Sequence, residues 1–413
     1  MRRVVISGLG VVSPAGIGKE IFWRSLVSGR SCIRRITRFD ASGLSSQIAG
    51  EVEDFEPAKY VKNKKDLRRM DISTQYAVAA SRMALADSGI DMGQEDPVRV
   101  GAAIGIGIGG PTFLEEQVQV AHKKGIGFIS PYTSIAFFCC APVGFVSIEL
   151  GIKGYNTTTS TGCTSAHVAI GSAFNAIRRG SADIVFAGGT ESPVTPITVQ
   201  SFCAIRALST RNTEPDRASR PFDRERDGFV LAEGCGILVL EELEHALKRN
   251  THIYAEVSGY GCTSNAYHMT APAPDAESHA NAIRLALKDA DIKPEDVDNV
   301  SAHGSSTQLN ERAETVAIKK ALGGHAYKIP ITAIKSMVGH ALGGAGGIQA
   351  VASVMTIQDG IVPPTINYEN PDPSCDLDYT PNQARRANVD VVLQDGCGFS
   401  GVNAALVIKK FGG

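Results

Sequence analysis

The chain has 413 residues, of which 43% are hydrophobic and 20% are charged, and its formal net charge at neutral pH is −2. This length suffices for two packed domains, and the near-neutral charge argues against a nucleic-acid-binding protein, which would be clearly basic. No apolar run approaches the roughly 18 residues that span a bilayer, so we expect no membrane segment. The N-terminus enters a short apolar strand without the long hydrophobic region of a signal peptide, which predicts a cytoplasmic protein.

Short β-branched stretches alternate with helical stretches along the whole chain. The predicted strands cover residues 4–7, 98–104, 184–187, 236–240, 253–259, 300–302, 389–393 and 404–409. The predicted helices cover residues 18–28, 70–88, 166–179, 277–290, 313–322 and 348–359. Strands that alternate with helices indicate an α/β protein with largely buried sheets.

The two parts of the chain also look weakly duplicated. Each opens with a strand that enters a glycine-containing turn, at residues 5–10 and again at residues 256–261. We place the boundary near residue 250, which gives an N-terminal half of residues 1–250 and a C-terminal half of residues 251–413. No Pro/Ser-rich linker separates the halves, so we expect them to share an interface. Two unrelated α/β domains are the alternative.

Cys163 is the most informative of nine cysteines. No spacing in the chain resembles a C-x-x-C pair, which indicates free thiols in a reducing compartment. Cys163 lies in a run of small residues directly before an alanine-rich helical stretch. Unpaired N–H groups and the positive end of a helix dipole would favour a thiolate there. A buried packing cysteine is the alternative.

Three histidines, His268, His303 and His340, lie in turn-like segments. His303 and His340 are the better candidates because glycine turns beside them resemble strand-end loops, which carry most catalytic side chains. Together with Cys163 they could form a Cys-His-His site. A metal site built from the same residues matches no compact ligand spacing, so we predict no metal.

Lys335 and Glu314 are candidates for a buried charge pair near His340, with an exposed helix charge as the alternative for Glu314. The glycine-rich residues 105–110 lack the G-x-G-x-x-G spacing of a dinucleotide loop, so we interpret them as a flexible pocket wall and predict no cofactor. Residues 396–403 form a second glycine turn, whose backbone N–H groups could point into a cavity as an oxyanion hole requires.

Four segments resemble, in chain order, the motifs of the β-ketoacyl-acyl-carrier-protein synthases: residues 160–165, 303–307, 335–340 and 398–403. The resemblance covers essentially the whole chain and is closest to the ketosynthase alpha subunits of type II polyketide synthases. It implies a thiolase-like fold, in which two duplicated α/β halves stack in the order α-β-α-β-α and the protein works as a dimer.

A few positions depart from the pattern of that family. Ala166 and His167 follow the cysteine where a glycine and a different helix residue are expected. Ser400 replaces a glycine of the last motif, and Cys397 stands where the fatty-acid enzymes have phenylalanine. These departures concern the shape of the pocket and the substrate rather than the chemistry.

The implied reaction is a decarboxylative Claisen condensation. Cys163 would hold the growing acyl chain, and neutral His303 and His340 would stabilise the enolate formed when malonyl-carrier loses carbon dioxide. Lys335, paired with Glu314, would organise the histidines.

The resemblance also implies positions around the nucleophile. The backbone N–H groups of Cys163 and Phe399 would bind the oxyanion, and Phe399 would gate the site. The acyl channel would be lined by Ile108, Phe138 and Phe399. The acidic acyl carrier protein would dock on a basic run that consists of Lys62, Lys64, Lys65, Arg68 and Arg69.

The implied partner, besides the carrier protein, is a homologous subunit similar to a chain-length factor, which lacks the cysteine. Cys163 would then mark this chain as the catalytic member of a heterodimer. A fatty-acid elongation β-ketoacyl-acyl-carrier-protein synthase II, which works as a homodimer, is the first competing interpretation. A degradative thiolase with Cys397 as its second cysteine is another, and a non-catalytic partner subunit is the third.

Overall fold

The computed structural model describes residues 1–412. Its strands are β1 Val4–Ser13, β2 Gly16–Ile17, β3 Arg34–Arg35, β4 Ile48–Ala49, β5 Val100–Gly105, β6 Asn156–Thr159, β7 Ile184–Glu191, β8 Gly234–Glu242, β9 Ala255–Ser264, β10 Asn299–Ser301, β11 Ile331–Thr332, β12 Ile361–Val362, β13 Arg385–Arg386, β14 Val391–Cys397 and β15 Val402–Lys409. Its α-helices are α1 Lys19–Val27, α2 Ile72–Ser88, α3 Pro111–Lys124, α4 Thr133–Phe137, α5 Ala141–Leu150, α6 Ser165–Arg178, α7 Pro196–Ala204, α8 Leu243–Lys248, α9 Glu277–Ala290, α10 Gln308–Leu322, α11 Lys335–Val338 and α12 Ala345–Asp359.

The main strands of the two halves pair in the same order. The order across the sheet is β1-β8-β7-β5-β6 in the N-terminal half and β9-β15-β14-β10-β11 in the C-terminal half. In each half the first two pairings are antiparallel and the last two are parallel. The repeated order and strand directions confirm the predicted duplication.

The two sheets are joined where β1 pairs with β9. This antiparallel contact places Val4 opposite Val257 and Ile6 opposite Ala255. The boundary proposed at residue 250 falls between α8 and β9. The halves therefore share backbone hydrogen bonds as well as a packed interface.

The helices form three layers around the sheets. On the outside, α2 packs on β1 and β8, while α9 packs on β9 and β15. Between the sheets, α6 and α12 contact each other, and each contacts strands of both halves. Ten of the 14 residues of α6 are buried, as expected of a helix that is covered on opposite sides. The arrangement is the predicted α-β-α-β-α stack.

One glycine allows α6 to approach the C-terminal sheet closely. A Cβ atom on Gly171 would lie 2.4 Å from the ring of Tyr260 in β9, so only glycine fits there. This contact matters for the site because Cys163 lies just before the start of α6. No helix within residues 1–412 is both long and apolar enough to cross a membrane.

Candidate active site

A cavity of about 560 Å³ lies where loops of the two halves meet. Five of the predicted site residues line it: Ile108, Cys163, His303, His340 and Phe399. The first two come from the N-terminal half and the other three from the C-terminal half. The duplicated fold therefore brings the predicted nucleophile and both histidines to one cavity.

Cys163 lies between β6 and α6, two residues before the helix begins. Burial raises the pKa of the Cys163 thiol to about 11, although Lys335 and the backbone N–H of Phe399 lower it. The expectation of an environment that favours a thiolate is therefore wrong for the resting site, because desolvation outweighs the stabilising groups. The raised pKa favours the neutral thiol at physiological pH.

The glycine turn that follows β14 lies directly against Cys163. The backbone N–H of Phe399 faces the Cys163 sulfur and lowers the pKa of the thiol, and a Cβ atom on Gly398 would lie 3.2 Å from the Cys163 nitrogen. Ser400 has φ +70°, a left-handed conformation that glycine adopts without strain. Its N–H donates to the carbonyl of Met269 at 2.6 Å, which ties the turn to a second loop at the cavity wall.

His303 and His340 lie edge to face, with ring centroids 5.2 Å apart. Within residues 1–412, the Nδ1 atom of each is buried without a hydrogen-bond partner, and both residues line the cavity. Burial holds the pKa of both rings well below the usual 6.5, and the charge of Lys335 lowers it further. Both rings are therefore neutral at physiological pH and can donate a hydrogen bond. His268, the third candidate, is exposed.

Lys335 and Glu314, the candidates for a buried charge pair, interact through their charges but form no direct ion pair. Both side chains are buried, but each binds the backbone beside the catalytic candidate His303 instead. Lys335 Nζ donates to the His303 carbonyl at 2.5 Å, while Glu314 accepts the N–H groups of His303 at 2.6 Å and Gly304 at 3.0 Å. Among the described residues the two form no ion pair within 4.0 Å, because the peptide of His303 lies between them. Burial lowers the pKa of Lys335 and raises that of Glu314.

Sequence reasoning missed a polar network behind His303. Asp395 accepts the N–H of His303 at 3.0 Å, and its other oxygen lies 2.9 Å from Nε2 of His279. The Cys397 thiol donates to Asn310 at 2.7 Å, and Asn310 in turn donates to Glu314. The sequence did contain a signal for Asp395, because an acidic residue within the apolar strand β14 must be buried with hydrogen-bond partners.

Glu191, the last residue of β7, was also missed. It is fully buried and accepts three backbone N–H groups, from Gly107, Ile108 and Gly343. Burial raises the pKa of Glu191 to about 7, while those three donors oppose the shift. A carboxylate at the end of a continuous apolar strand was the signal in the sequence.

The remaining predicted residues lie away from the cavity wall. Phe138 follows α4 and is 51% exposed. The basic residues Lys62, Lys64, Lys65 and Arg68 are exposed at the surface. Arg69 differs from them because it is half-buried, pairs with Asp66 at 2.9 Å and stacks on the ring of Tyr132. None of these is among the described residues that line the cavity. Their predicted roles in the channel and in docking remain predictions.

Solved structures share this fold over the whole chain. A type II polyketide synthase acyl carrier protein in complex with its ketosynthase bound to the hexaketide aligns with a TM-score of 0.92 and 40% identity, covering 99% of this chain and 100% of that chain. The ishigamide ketosynthase/chain length factor aligns with a TM-score of 0.93 and 37% identity, covering 100% of both chains. The fold is thus that of the thiolase-like ketosynthases.

The family follows from the sequence matches. The family described as "Beta-ketoacyl synthase, N-terminal domain" matches residues 1–246, and its C-terminal counterpart matches residues 254–369. The 3-oxoacyl-[acyl-carrier-protein] synthase 2 of Coxiella burnetii is 47% identical over 409 residues, 99% of each chain. The tetracenomycin polyketide synthase ketoacyl synthase alpha subunit of Streptomyces glaucescens is 44% identical over 415 residues, which cover 99% of this chain and 97% of that protein. The chain therefore belongs to the β-ketoacyl synthase family and is an acyltransferase.

Proposed function

We propose that this chain is the catalytic ketosynthase subunit of a type II polyketide synthase, which extends an acyl chain held on Cys163 with malonyl units from an acyl carrier protein. The observation that carries the proposal is that Cys163, neutral His303 and neutral His340 line one cavity, with the N–H of Phe399 directed at the sulfur. This set contains one nucleophile, two imidazole donors and one backbone N–H donor, which are the groups that a decarboxylative condensation requires.

In the first half of the reaction, Cys163 sulfur attacks the thioester carbonyl of the acyl-carrier. A carbon–sulfur bond to Cys163 forms, the bond to the carrier thiol breaks, and the Cys163 proton ends on that thiol. The N–H groups of Cys163 and Phe399 bind the oxyanion of the intermediate, since they lie beside the sulfur that forms the new bond. The raised pKa of the thiol is consistent with a proton that leaves as the sulfur attacks.

In the second half, malonyl-carrier binds with its thioester carbonyl at Nε2 of His303 and His340. The carbon–carbon bond to the carboxylate breaks, carbon dioxide leaves, and the two N–H donors stabilise the enolate. The enolate carbon attacks the acyl group, and the Cys163 sulfur departs and regains a proton. Lys335 and Glu314 hold the peptide of His303 from two sides. Burial keeps both rings neutral, and the Lys335 charge adds to this effect.

Fatty-acid elongation is the second candidate function, because the Coxiella burnetii synthase 2 is as similar to this chain as the polyketide subunits are. The two functions differ in what happens between condensations. The protein is incubated with malonyl-carrier as the sole acyl substrate, and the carrier is then analysed by mass spectrometry. For a polyketide synthase, we expect acyl chains that have been extended repeatedly without reduction. A single extension of each acyl chain would favour fatty-acid elongation.

A cytoplasmic location is part of the proposal. All nine cysteines lie within the described residues and are free, which is typical of a reducing compartment. The proposed carrier and malonyl substrates need the same compartment.

A large apolar surface supports the proposed partner subunit. Helices α4 and α5 pack together, and α5 contacts the edge strand β6, which has one neighbour in the sheet. This region and the turn before it expose the apolar residues Ile126, Phe128, Ile129, Ile135, Phe137, Phe138 and Ile148. Such a patch beside a sheet edge is typical of a permanent subunit interface. We propose that a homologous, cysteine-less subunit covers it.

Co-expression with a cysteine-less homologue is expected to give a heterodimer on size-exclusion chromatography with light scattering. Ile148→Glu places a charge in the apolar patch and is expected to release monomers, because an unpaired charge is costly in an apolar interface. Ile21→Glu is the matched control, since Ile21 is a similarly exposed isoleucine on α1. A fully active homodimer formed by this chain alone would contradict the heterodimer and favour fatty-acid elongation.

Charge reversal of the exposed basic residues is expected to weaken docking of the acidic carrier. Lys64→Glu with Lys65→Glu should raise KM for acyl-carrier substrates about tenfold at low salt, because steering between exposed charges is lost. The same acyl group on a free pantetheine thioester should react as it does with the unmodified protein. Lys328→Glu, at another exposed lysine, is the control. An equal increase in KM for the acyl-carrier and for the free pantetheine thioester would mean that the carrier protein docks on another surface.

A further inference from the structure

Glu191 joins the two halves of the protein at the cavity. Its Oε2 atom accepts the N–H of Gly107 at 2.6 Å and the N–H of Gly343 at 3.0 Å. Its Oε1 atom accepts the N–H of Ile108 at 3.1 Å. Gly107 and Ile108 belong to the turn after β5 in the N-terminal half, and Gly343 lies three residues after His340 in the C-terminal half. One carboxylate therefore fixes both turns.

The two turns are packed so closely that neither glycine can carry a side chain. A Cβ atom on Gly107 would lie 2.7 Å from Glu191 Oε2, and one on Gly343 would lie 2.3 Å from the Gly107 nitrogen. Leu342, which lies between His340 and Gly343 in the chain, has φ +39°, a left-handed backbone conformation. Ile108 and Leu342 both line the cavity. The position of these two apolar side chains thus depends on backbone that Glu191 holds.

We propose that Glu191 is a positioning residue that sets the acyl-chain-length preference of the site by holding Ile108 at the cavity wall. The inference rests on the proposed function, since it concerns the acyl chain that Cys163 receives. Glu191 does not touch that chain. It acts through the N–H of Ile108, whose side chain does line the cavity.

Glu191→Gln separates the contact to Ile108 from the other two. An amide has one acceptor oxygen and one NH₂ group, which cannot face another N–H donor. The amide oxygen is expected to turn toward Gly107 and Gly343, where it satisfies two donors, and the NH₂ group then faces the N–H of Ile108. Because a buried unpaired donor is costly, the Ile108 segment shifts while the Gly343 turn stays.

The experiment measures kcat/KM for acylation of Cys163 with a series of straight acyl-carriers from acetyl to palmitoyl. In Glu191→Gln, the ratio of the values for the longest and shortest substrates is expected to change about tenfold from that of the unmodified protein. In the Ile108→Ala background, adding Glu191→Gln should change this ratio no further, because the effect acts through Ile108. Glu256→Gln is the matched control, since Glu256 is a buried carboxylate away from the cavity.

Parallel loss of activity at all chain lengths, with a lowered Tm, would show that Glu191 only supports the fold and would overturn the proposal. Where Glu191→Gln does not fold, Glu191→Asp keeps both acceptors but pulls them back by one methylene, and the same change in ratio is expected. No acylation of the unmodified protein by any substrate would contradict the proposed function instead, so the two failures are distinguishable.

Discussion

Cys163→Ala is expected to abolish acylation of the protein, while the unmodified chain gains the mass of one acyl group per subunit. The variant lacks the proposed nucleophile, the thiol that the N–H of Phe399 faces. Among the described residues, Cys397 is the only other cysteine that lines the cavity. Its thiol donates a hydrogen bond to Asn310, and burial raises its pKa well above the usual range. Intact mass spectrometry after incubation with acyl-carrier measures the result.

Cys163→Gln is expected to keep decarboxylation of malonyl-carrier although it cannot be acylated. The Gln side chain places an amide carbonyl near the N–H of Phe399, where the acyl carbonyl of the intermediate would lie. His303 and His340 are unchanged, so the enolate still forms and is protonated to give acetyl-carrier. Conversion of malonyl-carrier to acetyl-carrier is followed by mass spectrometry of the carrier.

Cys262→Ala is the matched control for both variants, because Cys262 is an exposed free cysteine on β9. It is expected to be acylated at the same rate as the unmodified chain. A mass increase that persists in Cys163→Ala would assign the acyl group to another thiol. Loss of decarboxylation in Cys163→Gln would mean that the histidines need the sulfur itself.

The strands were the part of the fold that the sequence predicted best, because the main sheet strands are rich in β-branched residues and bounded by glycines. Two strands of the main sheet order were missed, β6 and β11. The longer of them, β6, Asn156–Thr159, has four residues that are all polar and partly exposed. It pairs with β5 on one side only, so no alternation of apolar and polar residues marks it. Its place in the sheet depends on tertiary pairing rather than on local sequence.

The missed helices have equally physical explanations. Helix α11, Lys335–Val338, has four residues, all buried, and is too short to show a helical period. Helix α5 is apolar on nearly every face, so its pattern does not separate an inner side from an outer one. The predicted duplication, in contrast, is visible in the strand order that both halves repeat.

At the site, the motifs predicted residues that line one cavity but not their electrostatics. The spacing of Cys163 from a helix predicted a thiolate, yet burial determines the pKa of the thiol. Lys335 and Glu314 were expected to pair by charge, yet both bind the peptide of His303. Glu191 reaches a partner 152 positions away at Gly343, a contact that no local pattern in a single sequence can report. Such contacts depend on how the two halves pack.

His303→Ala and His340→Ala are each expected to slow decarboxylation of malonyl-carrier by about 10²- to 10³-fold, which is the usual effect of removing one donor to a developing oxyanion. Each variant should still be acylated at Cys163, because both substitutions leave Cys163 and the backbone N–H of Phe399 unchanged. Decarboxylation is measured in the Cys163→Gln background, where condensation cannot occur, and acylation is measured in the single variants. Loss of both activities together would instead indicate that the cavity collapses.

His268→Ala provides the control, since His268 is an exposed turn histidine that accepts the N–H groups of Thr270 and Ala271. His303→Asn and His340→Asn keep an N–H donor on a shorter side chain, so they should lose less activity than the alanine variants. An asparagine variant as slow as its alanine counterpart would mean that the ring does more than donate a hydrogen bond.

The protonation state of His303 and His340 predicts how the rate of decarboxylation responds to pH. Because the pKa values of His303 and His340 lie well below 6.5, both rings are neutral donors throughout the physiological range. Decarboxylation in the Cys163→Gln background is therefore expected to stay constant between about pH 6 and pH 8, where an unperturbed histidine would titrate. Below about pH 6.5 these rings bind protons in the unfolded chain but not in the folded chain. Acid therefore lowers the free energy of unfolding instead of protonating the rings in the folded protein. The pKa of Glu191 is about 7, so the same measurement is made in the Glu191→Gln variant, which cannot titrate at this position. A rate that still follows a titration near pH 6.5 there would show that one ring gains a proton in the folded protein.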